Sequence, residues 1–419
     1  MDKSKTESSV VSPHLGVARL FRGNVAVIAS SSAVNGFGTA LVSTYIAKYF
    51  VGIGGDPFEL GVMTSLSAII QLFVFFLGGR IADHYGRRRV IVLAAFYAVL
   101  FPVLYVLIRD WRIFLIASVM GAFGSLSSPA IHATVADSTA PEKRTTGICV
   151  LQVVSSSPTI ASPLIAGYLI EIYGLQSGFR LACLCAAVTA FASALILMLF
   201  LRETKQKANR TDPSAASDTL SAKNHTGLSQ ESWKTSVLAL LFSYGLVAFA
   251  NALVGSYYIL YATNVIGLGE LQWGIIVSLQ IAMVTLLKIP GGWASDRFGK
   301  KKIMMISILT CIPCVVIFTF SRSFVQAAIT VILLTVAGMY YAPSYEALQA
   351  DLSPRKIRGR ITSFWDISSA AATSIGAPLG GFIFQAVGPA VPFYLFAIVE
   401  LAAAILILVA VKEPKRAED

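Results

Sequence analysis

The sequence predicts an all-α membrane protein of twelve transmembrane helices, arranged as two pseudo-symmetric six-helix bundles, and three observations carry that reading. The 419 residues are 56% hydrophobic and only 13% charged, where a soluble domain carries about 25% charged residues. So apolar a chain, with a mean hydropathy of +0.72, has too little polar surface to cover a water-facing globule, and lipid is its expected solvent. The charges are bunched between apolar runs of roughly 20 to 30 residues, the length that crosses a bilayer as a helix. Finally, short motifs of the first half recur in the second at a nearly constant spacing.

Taken in order, the apolar runs place helices at 24–51, 58–83, 88–108, 112–137, 145–173 and 178–202, then at 234–264, 270–296, 301–321, 324–351, 359–387 and 390–411. A polar tail, 1–23, precedes the first bundle, 24–202. Residues 203–233, rich in Ser, Thr, Asn, Lys and Asp, read as a flexible linker to the second bundle, 234–411, and 412–419 form a short C-terminal tail. The stretch before Arg22 is polar and the first apolar run is too long for a cleavable signal.

The net charge of +11 is not spread as a nucleic-acid footprint would be. Lys and Arg cluster at every second gap: Arg87 to Arg89, Lys143-Arg144, the linker, Lys300 to Lys302, and Arg355 through Arg360. The alternate gaps hold only scattered cases such as Arg109 and Arg322. This is the positive-inside pattern, which places both termini in the cytoplasm and the protein in the plasma (cytoplasmic) membrane. Lipid head groups are the implied polyanion, and no nucleic acid is expected. All five cysteines fall inside apolar runs, so Cys311-x-x-Cys314 reads as two small packing residues rather than a redox pair. There is no nucleophile–base constellation, metal-ligand cluster or phosphate loop; the reading is not an enzyme, with no cofactor and no metal.

The halves repeat in detail. Gly79-Arg-Ile-Ala-Asp83-His-Tyr-Gly86-Arg87-Arg88-Arg89 aligns with Gly292-Trp-Ala-Ser-Asp296-Arg-Phe-Gly299-Lys300-Lys301-Lys302, 213 residues on. Ser43 and Tyr45 align with Ser256 and Tyr258 at the same spacing, and Pro129-x3-Ala133-x2-Ala136-Asp137 with Pro343-x3-Ala347-x2-Ala350-Asp351 at 214. The chain is a duplicated six-helix unit with parallel repeats.

The Gly79–Arg89 segment resembles the loop 2–3 signature of the major facilitator superfamily, and its copy at Gly292 resembles the loop 8–9 counterpart. The resemblance covers the whole chain. It implies two bundles rocking about a central cavity, with helices 1, 4, 7 and 10 lining it and helices 3, 6, 9 and 12 facing lipid. It also implies a monomer that moves a small-molecule substrate across the bilayer. Asp83 ends helix 2, where its carboxylate can approach the positive N-terminus of a neighbouring helix. By the family's packing that neighbour is helix 11, from Arg358 to Thr362; by symmetry Asp296 meets the start of helix 5 near Thr145 to Gly147. The gating set is therefore Gly79, Asp83, Gly86, Arg87, Gly292, Asp296, Gly299 and Lys300, with topology as the competing role of the basic runs. Ser162-Pro163-Leu-Ile-Ala166-Gly167 and Gly376-Ala-Pro378-Leu-Gly380-Gly381 are degraded versions of a glycine-rich exporter signature. Helix 4 has no arginine at Ala117 to Gly121 and helix 1 no acid, which argues against the simplest proton–drug antiport.

Ionisable groups at membrane depth are costly and mark function. At about 1.5 Å per residue, Lys288 and Asp366 lie about 12 Å, and Glu346 about 7–8 Å, inside the cytoplasmic ends of helices 8, 11 and 10. Their first-half counterparts are Phe75, Gln152 and His132, so ion or proton coupling is expected in the second bundle. Three readings stay open: a structural ion pair, a lysine–carboxylate pair beside a proton-carrying acid, or a lysine that attracts an anionic substrate. His132 joins the coupling candidates because imidazole titrates near neutral pH. Glu400, near the middle of helix 12, has no account beyond an inward turn to a polar partner. Asn35, Gln71, Asn251, Tyr257, Tyr258, Gln280, Tyr340 and Tyr341 are the substrate-binding candidates; aromatics with a few amides suit an amphipathic organic solute. The leading expectation is secondary transport of such a solute by rocker-switch alternating access, with proton-coupled efflux as its sharpest form. The alternatives are a facilitator or symporter for a metabolite or organic anion, and a non-transporting sensor on the same fold.

Overall fold

The computed structural model describes residues 23–137, 153–203, 230–352 and 358–412. Among them, twelve helical spans are long and apolar enough to cross a membrane: α1 Asn24–Gly52, α2 Pro57–Ala82, α3 Arg87–Leu107, α4 Trp111–Val135, α5 Val153–Tyr173, α6 Leu175–Phe200, α7 Thr235–Asn264, α8 Glu270–Leu287, α9 Lys300–Thr319, α10 Phe324–Gln349, α11 Phe364–Ala386 and α12 Val391–Ala410. Each falls on an expected run. The start of the fifth expected helix and most of the 203–233 linker lie outside the described residues.

Local chemistry sets the helix ends. Asp56 precedes Pro57 and receives a capping box, its amide donating to Glu59 Oε2 at 2.8 Å. Gly86 and Gly299 join α2 to α3 and α8 to α9 with φ of 92° and 94°, a backbone only glycine enters cheaply. The α3 N-terminus beyond Gly86 is met by a carboxylate, Arg87 N donating to Glu203 Oε1 at 3.1 Å, which also opposes the positive end of the helix dipole. The basic runs begin here, so we call this the basic end of the molecule. At the same end Asn24 and Arg202 exchange two hydrogen bonds of 2.8 and 2.9 Å, tying α1 to α6. Ser236 and Lys412 do the same for α7 and α12 with one of 3.1 Å.

Five spans are broken, α5 by a 3-10 turn at Pro158–Ile160. The first helix stops at Ser43 and resumes at Ile46, and the seventh stops at Val254 and resumes at Tyr258. α4 passes through a 3-10 turn at Ala122–Ser127, and α10 breaks between Gly338 and Tyr341. Within the halves α1 and α3 pack on α6, and α7 and α9 pack on α12; between them α2 lies along α11 and α5 along α8.

The apolar cores show how the halves meet. One continuous cluster draws Tyr45, Tyr49, Phe114 and Phe179 from the first half together with Tyr257, Tyr261, Phe318 and Phe393 from the second. It sits opposite the basic end, where α1 meets α2 and α7 meets α8. Toward the basic end the cores separate: Ile28, Ile91 and Leu197 belong to one cluster, Leu240, Met304 and Ile407 to another.

Faces in lipid obey a different rule from faces in water. On α12 the buried positions are Phe393, Phe396, Ala397, Glu400, Ala403, Ala404 and Ile407, while Ile398, Leu401, Leu408 and Val409 face outward, Val409 75% exposed. Small and polar residues turn inward because close packing, not water avoidance, drives helix association in a bilayer.

Candidate functional site

The seal between the halves is built from two tyrosines. Each break, at Tyr45 in α1 and Tyr257 in α7, turns a ring into the interface, and both side chains are 0% exposed. Tyr45 Oη donates to Glu270 O at 2.7 Å and lies 3.2 Å from Pro163 O. Tyr257 Oη donates to Ala377 O at 2.7 Å and lies 3.2 Å from Pro57 O. Each hydroxyl thus reaches one carbonyl of its own half and one of the other.

All four carbonyls stand four residues before a glycine: Pro57 before Gly61, Pro163 before Gly167, Glu270 before Gly274, Ala377 before Gly381. A helical carbonyl keeps a second lone pair, and a glycine at that spacing leaves no Cβ to shield it. A Cβ at Gly274 would stand 2.7 Å from the Tyr45 hydroxyl, and one at Gly381 2.6 Å from that of Tyr257. The seal is completed by the Lys48–Glu270 ion pair, by Ser65 Oγ donating to Ser374 O at 2.7 Å, and by Leu271 N donating to Glu171 Oε2 at 3.3 Å.

Two expectations change here. The counterpart of Tyr45 is Tyr257, not Tyr258, since each caps the resumed helix with the same turn, Tyr45 N to Val42 O and Tyr257 N to Val254 O. The repeat spacing is therefore 212 residues at this point. Tyr257, expected among the substrate contacts, is buried in the seal in this conformation, with its hydroxyl committed to carbonyls.

At the basic end Lys300 Nζ lies 2.5 Å from Asp351 Oδ2 of its own half, and Arg88 reaches Met198 O at 2.8 Å. The side chains of Asp83, Asp296 and Lys288, the surroundings of Gly79 and Gly292, the start of the fifth expected helix and the side chains of residues 358–363 fall outside what is described. The expected contacts of Asp83 with helix 11, of Asp296 with helix 5 and of Lys288 with a carboxylate lie there too.

The second half holds a partly open cavity of ≈ 590 Å³ between α7, α8, α9, α10 and α12. It gathers five predicted residues, Asn251, Tyr258, Gln280, Tyr341 and Glu346, and adds Ser307, Cys311, Thr335 and Glu400. Gln280 Nε2 donates to Thr335 Oγ1 at 2.8 Å and Asn251 Nδ2 to Val247 O at 2.8 Å, which orients both amides. Glu400 is 3% exposed, and its Oε2, like the Tyr341 hydroxyl, is buried without a hydrogen-bond partner.

The first half has a cavity of ≈ 640 Å³ between α2, α3 and α4, but its described lining, with Tyr85, Arg89 and Tyr97, is otherwise apolar and carries no carboxylate. Phe179 and Phe393 occupy matching buried places early in α6 and α12, and the same spacing puts Ala186 opposite Glu400. There α1 closes directly on α6: a Cβ at Gly38 would meet Ala186 Cα at 3.0 Å.

Other predicted residues stand apart from the cavity. Asn35 and Tyr340 are half-buried, and Gln71, His132 and Asp366 are exposed. Sequence reasoning left Glu400 unassigned and missed Glu203. A single acid in mid-span was the available signal for the first; the second merges with the linker charges.

A chain of twelve apolar spans in two related halves, sealed at one end and holding a polar-lined cavity among its helices, is a membrane transporter and not an enzyme. It belongs to the Major Facilitator Superfamily, whose family model matches residues 28–269 and again 240–419. It is 24% identical over 344 residues to the uncharacterized MFS-type transporter YhjO of Bacillus subtilis, covering 82% of this chain and 81% of that protein. It is 23% identical over 364 residues to the multidrug resistance protein MdtG of Dickeya zeae, covering 83% and 86%. Among solved structures, a bacterial homolog of the human lysosomal transporter Spinster, inward-facing and occupied, superposes with a TM-score of 0.73 at 14% identity over 92% of this chain and 96% of that one. The nucleoside transporter NupG gives 0.70 at 14% identity, over 93% and 99%.

Proposed function

We propose that the protein is a secondary transporter that moves a small amphipathic organic solute outward across the plasma membrane by alternating access. The observation that carries the reading is the second-half cavity, where amides, tyrosines and carboxylates converge among Val247, Val284 and Phe396. Its size falls within the range of about 300–1,000 Å³ typical of organic-ligand sites. The outward direction is taken from the relatives named as multidrug resistance proteins.

In this reading the basic end faces the cytoplasm, following the lysine and arginine bias, and the chain works as a monomer. The conformation is inward-facing: the shared core and tyrosine seal close the outer side while the cores part toward the inner one. Asp83 and Asp296 close the inner side in the opposite state by meeting the N-termini of helices 11 and 5. Glu346 and Asp366 are the coupling acids, one of them carrying a proton as the solute crosses.

The test is transport in proteoliposomes across a panel of cationic, anionic and neutral amphipathic solutes, with a pH gradient imposed in either direction. At least one solute is expected to move with the gradient and to stop when Val284→Trp fills the cavity. A panel in which nothing moves, or a mover indifferent to the filled cavity, defeats the proposal.

A further inference from the structure

We propose that the second-half cavity is built for an organic cation, a molecule with one positive centre on an apolar body, whose charge seats against the Glu400 carboxylate. The inference rests on the transport reading above and names the class of solute.

Charge accounting comes first. Glu346 and Glu400 both line the cavity, and its described lining contains no lysine or arginine. Lys288 comes four residues after Val284 on α8, and it can neutralise only one of the two acids. At least one of the two carboxyl groups therefore has no basic partner, whichever of them the lysine serves. An ionised carboxylate buried without a partner costs several kcal/mol or more, so such a group ionises only when a counter-charge is brought to it. Glu400 is the deeper of the two: it is 3% exposed, and one of its oxygens has no hydrogen-bond partner. A cation supplies what that oxygen lacks. A neutral solute brings no counter-charge to that carboxyl, and an anion brings a second negative charge to the same acids.

The walls agree with the charge. Tyr258, Tyr341 and Phe396 bring aromatic rings to the same cavity, and ring faces attract cations, most strongly when both are desolvated. The Tyr341 hydroxyl is the other buried group there without a partner. Val247, Val284 and Leu334 receive the apolar body. Because Ala186 takes the matching place in the first half, packed against Gly38, the described residues hold one such site, not two.

The experiment uses tetraphenylphosphonium and tetraphenylborate, which share size and shape and differ in sign, measured by equilibrium dialysis against the purified full-length protein. One tetraphenylphosphonium is expected to bind per chain, with tetraphenylborate at least tenfold weaker. Glu400→Gln is expected to lower phosphonium affinity tenfold or more, while Glu400→Asp retains most of it. Equal affinity for the two ions, or a Gln variant that eludes neither chromatographic nor thermal tests of folding and binds as wild type, overturns the proposal. Should Glu400→Gln misfold, Val247→Phe decides the matter, since it fills the cavity without touching the acid. It is expected to abolish phosphonium binding, and unchanged binding overturns the site. A protein that carries only neutral or anionic solutes in the vesicle panel refutes the cation site and leaves transport standing; one that carries nothing refutes both.

Discussion

Replacing Tyr45 with Phe removes one oxygen from the seal and leaves the ring in place. The hydroxyl donates across the interface to Glu270 O at 2.7 Å, with Pro163 O of its own half 3.2 Å away. A tyrosine has one proton to give. When the halves part at this end, the proton can swing to Pro163 O, so opening leaves it satisfied. What opening loses is the shorter, better-placed bond, worth about 0.5–1.5 kcal/mol net. Both carbonyls also accept helical bonds from the glycines four residues on, so removing the hydroxyl strands no buried acceptor. Tyr45→Phe should therefore favour the state open at the tyrosine end by about 1 kcal/mol, roughly a fivefold shift in population. Tyr257 is wired the other way. Its 2.7 Å bond stays within its own half and only the 3.2 Å contact crosses, so Tyr257→Phe should shift the balance less than twofold. Hydrogen–deuterium exchange reads this on the native chain, through peptides covering residues 52–60 and 265–273. Exchange there should rise several-fold in Tyr45→Phe and little in Tyr257→Phe. Equal effects, or a larger one from Tyr257, would refute the argument.

Three further outcomes follow from the same geometry. Gly381→Val places a branched side chain where a Cβ alone would stand 2.6 Å from the Tyr257 hydroxyl; solute transport should be lost while the protein still elutes as a folded species, because α2 and α11 can no longer close. Lys48 and Glu270 form a partly buried pair across the halves, 17% and 25% exposed, so either charge replaced by alanine should raise exchange at the same peptides. The swap Lys48→Glu with Glu270→Lys should restore much of the protection, and no restoration would assign the single effects to something other than the pair. Glu346→Gln and Asp366→Asn should each preserve expression, and at least one should uncouple transport from the pH gradient; unchanged coupling in both, measured in proteoliposomes, removes these acids from the proton path.

The number of spans, the duplication and the basic end were all legible because they are one-dimensional signals: run length, repeat spacing and the alternation of charged gaps. Site residues were legible by helix but not by face. Asn251, Tyr258, Gln280, Tyr341 and Glu346 come together as residues of facing helices should, whereas Tyr257, next to Tyr258 in the chain, turns into the seal. The break in α7 makes that difference, and a constant repeat spacing of 213 assigned the wrong tyrosine to it. Glu400 shows the same limit. A helix apolar on every side gives little contrast between its faces, so the sequence could not show that α12 turns this acid inward.

By itself, then, the sequence determined the solvent, the count of helices, the twofold ancestry and the list of residues too polar for lipid, because each follows from composition and order along the chain. The tertiary structure decided which of them meet. Two tyrosines reach carbonyls left open by glycines more than a hundred residues away, and the two halves diverge where Glu400 faces a cavity and Ala186 faces Gly38. Such contacts depend on helix rotation and closest approach, which in a bilayer are set by side-chain shape rather than by hydrophobic contrast.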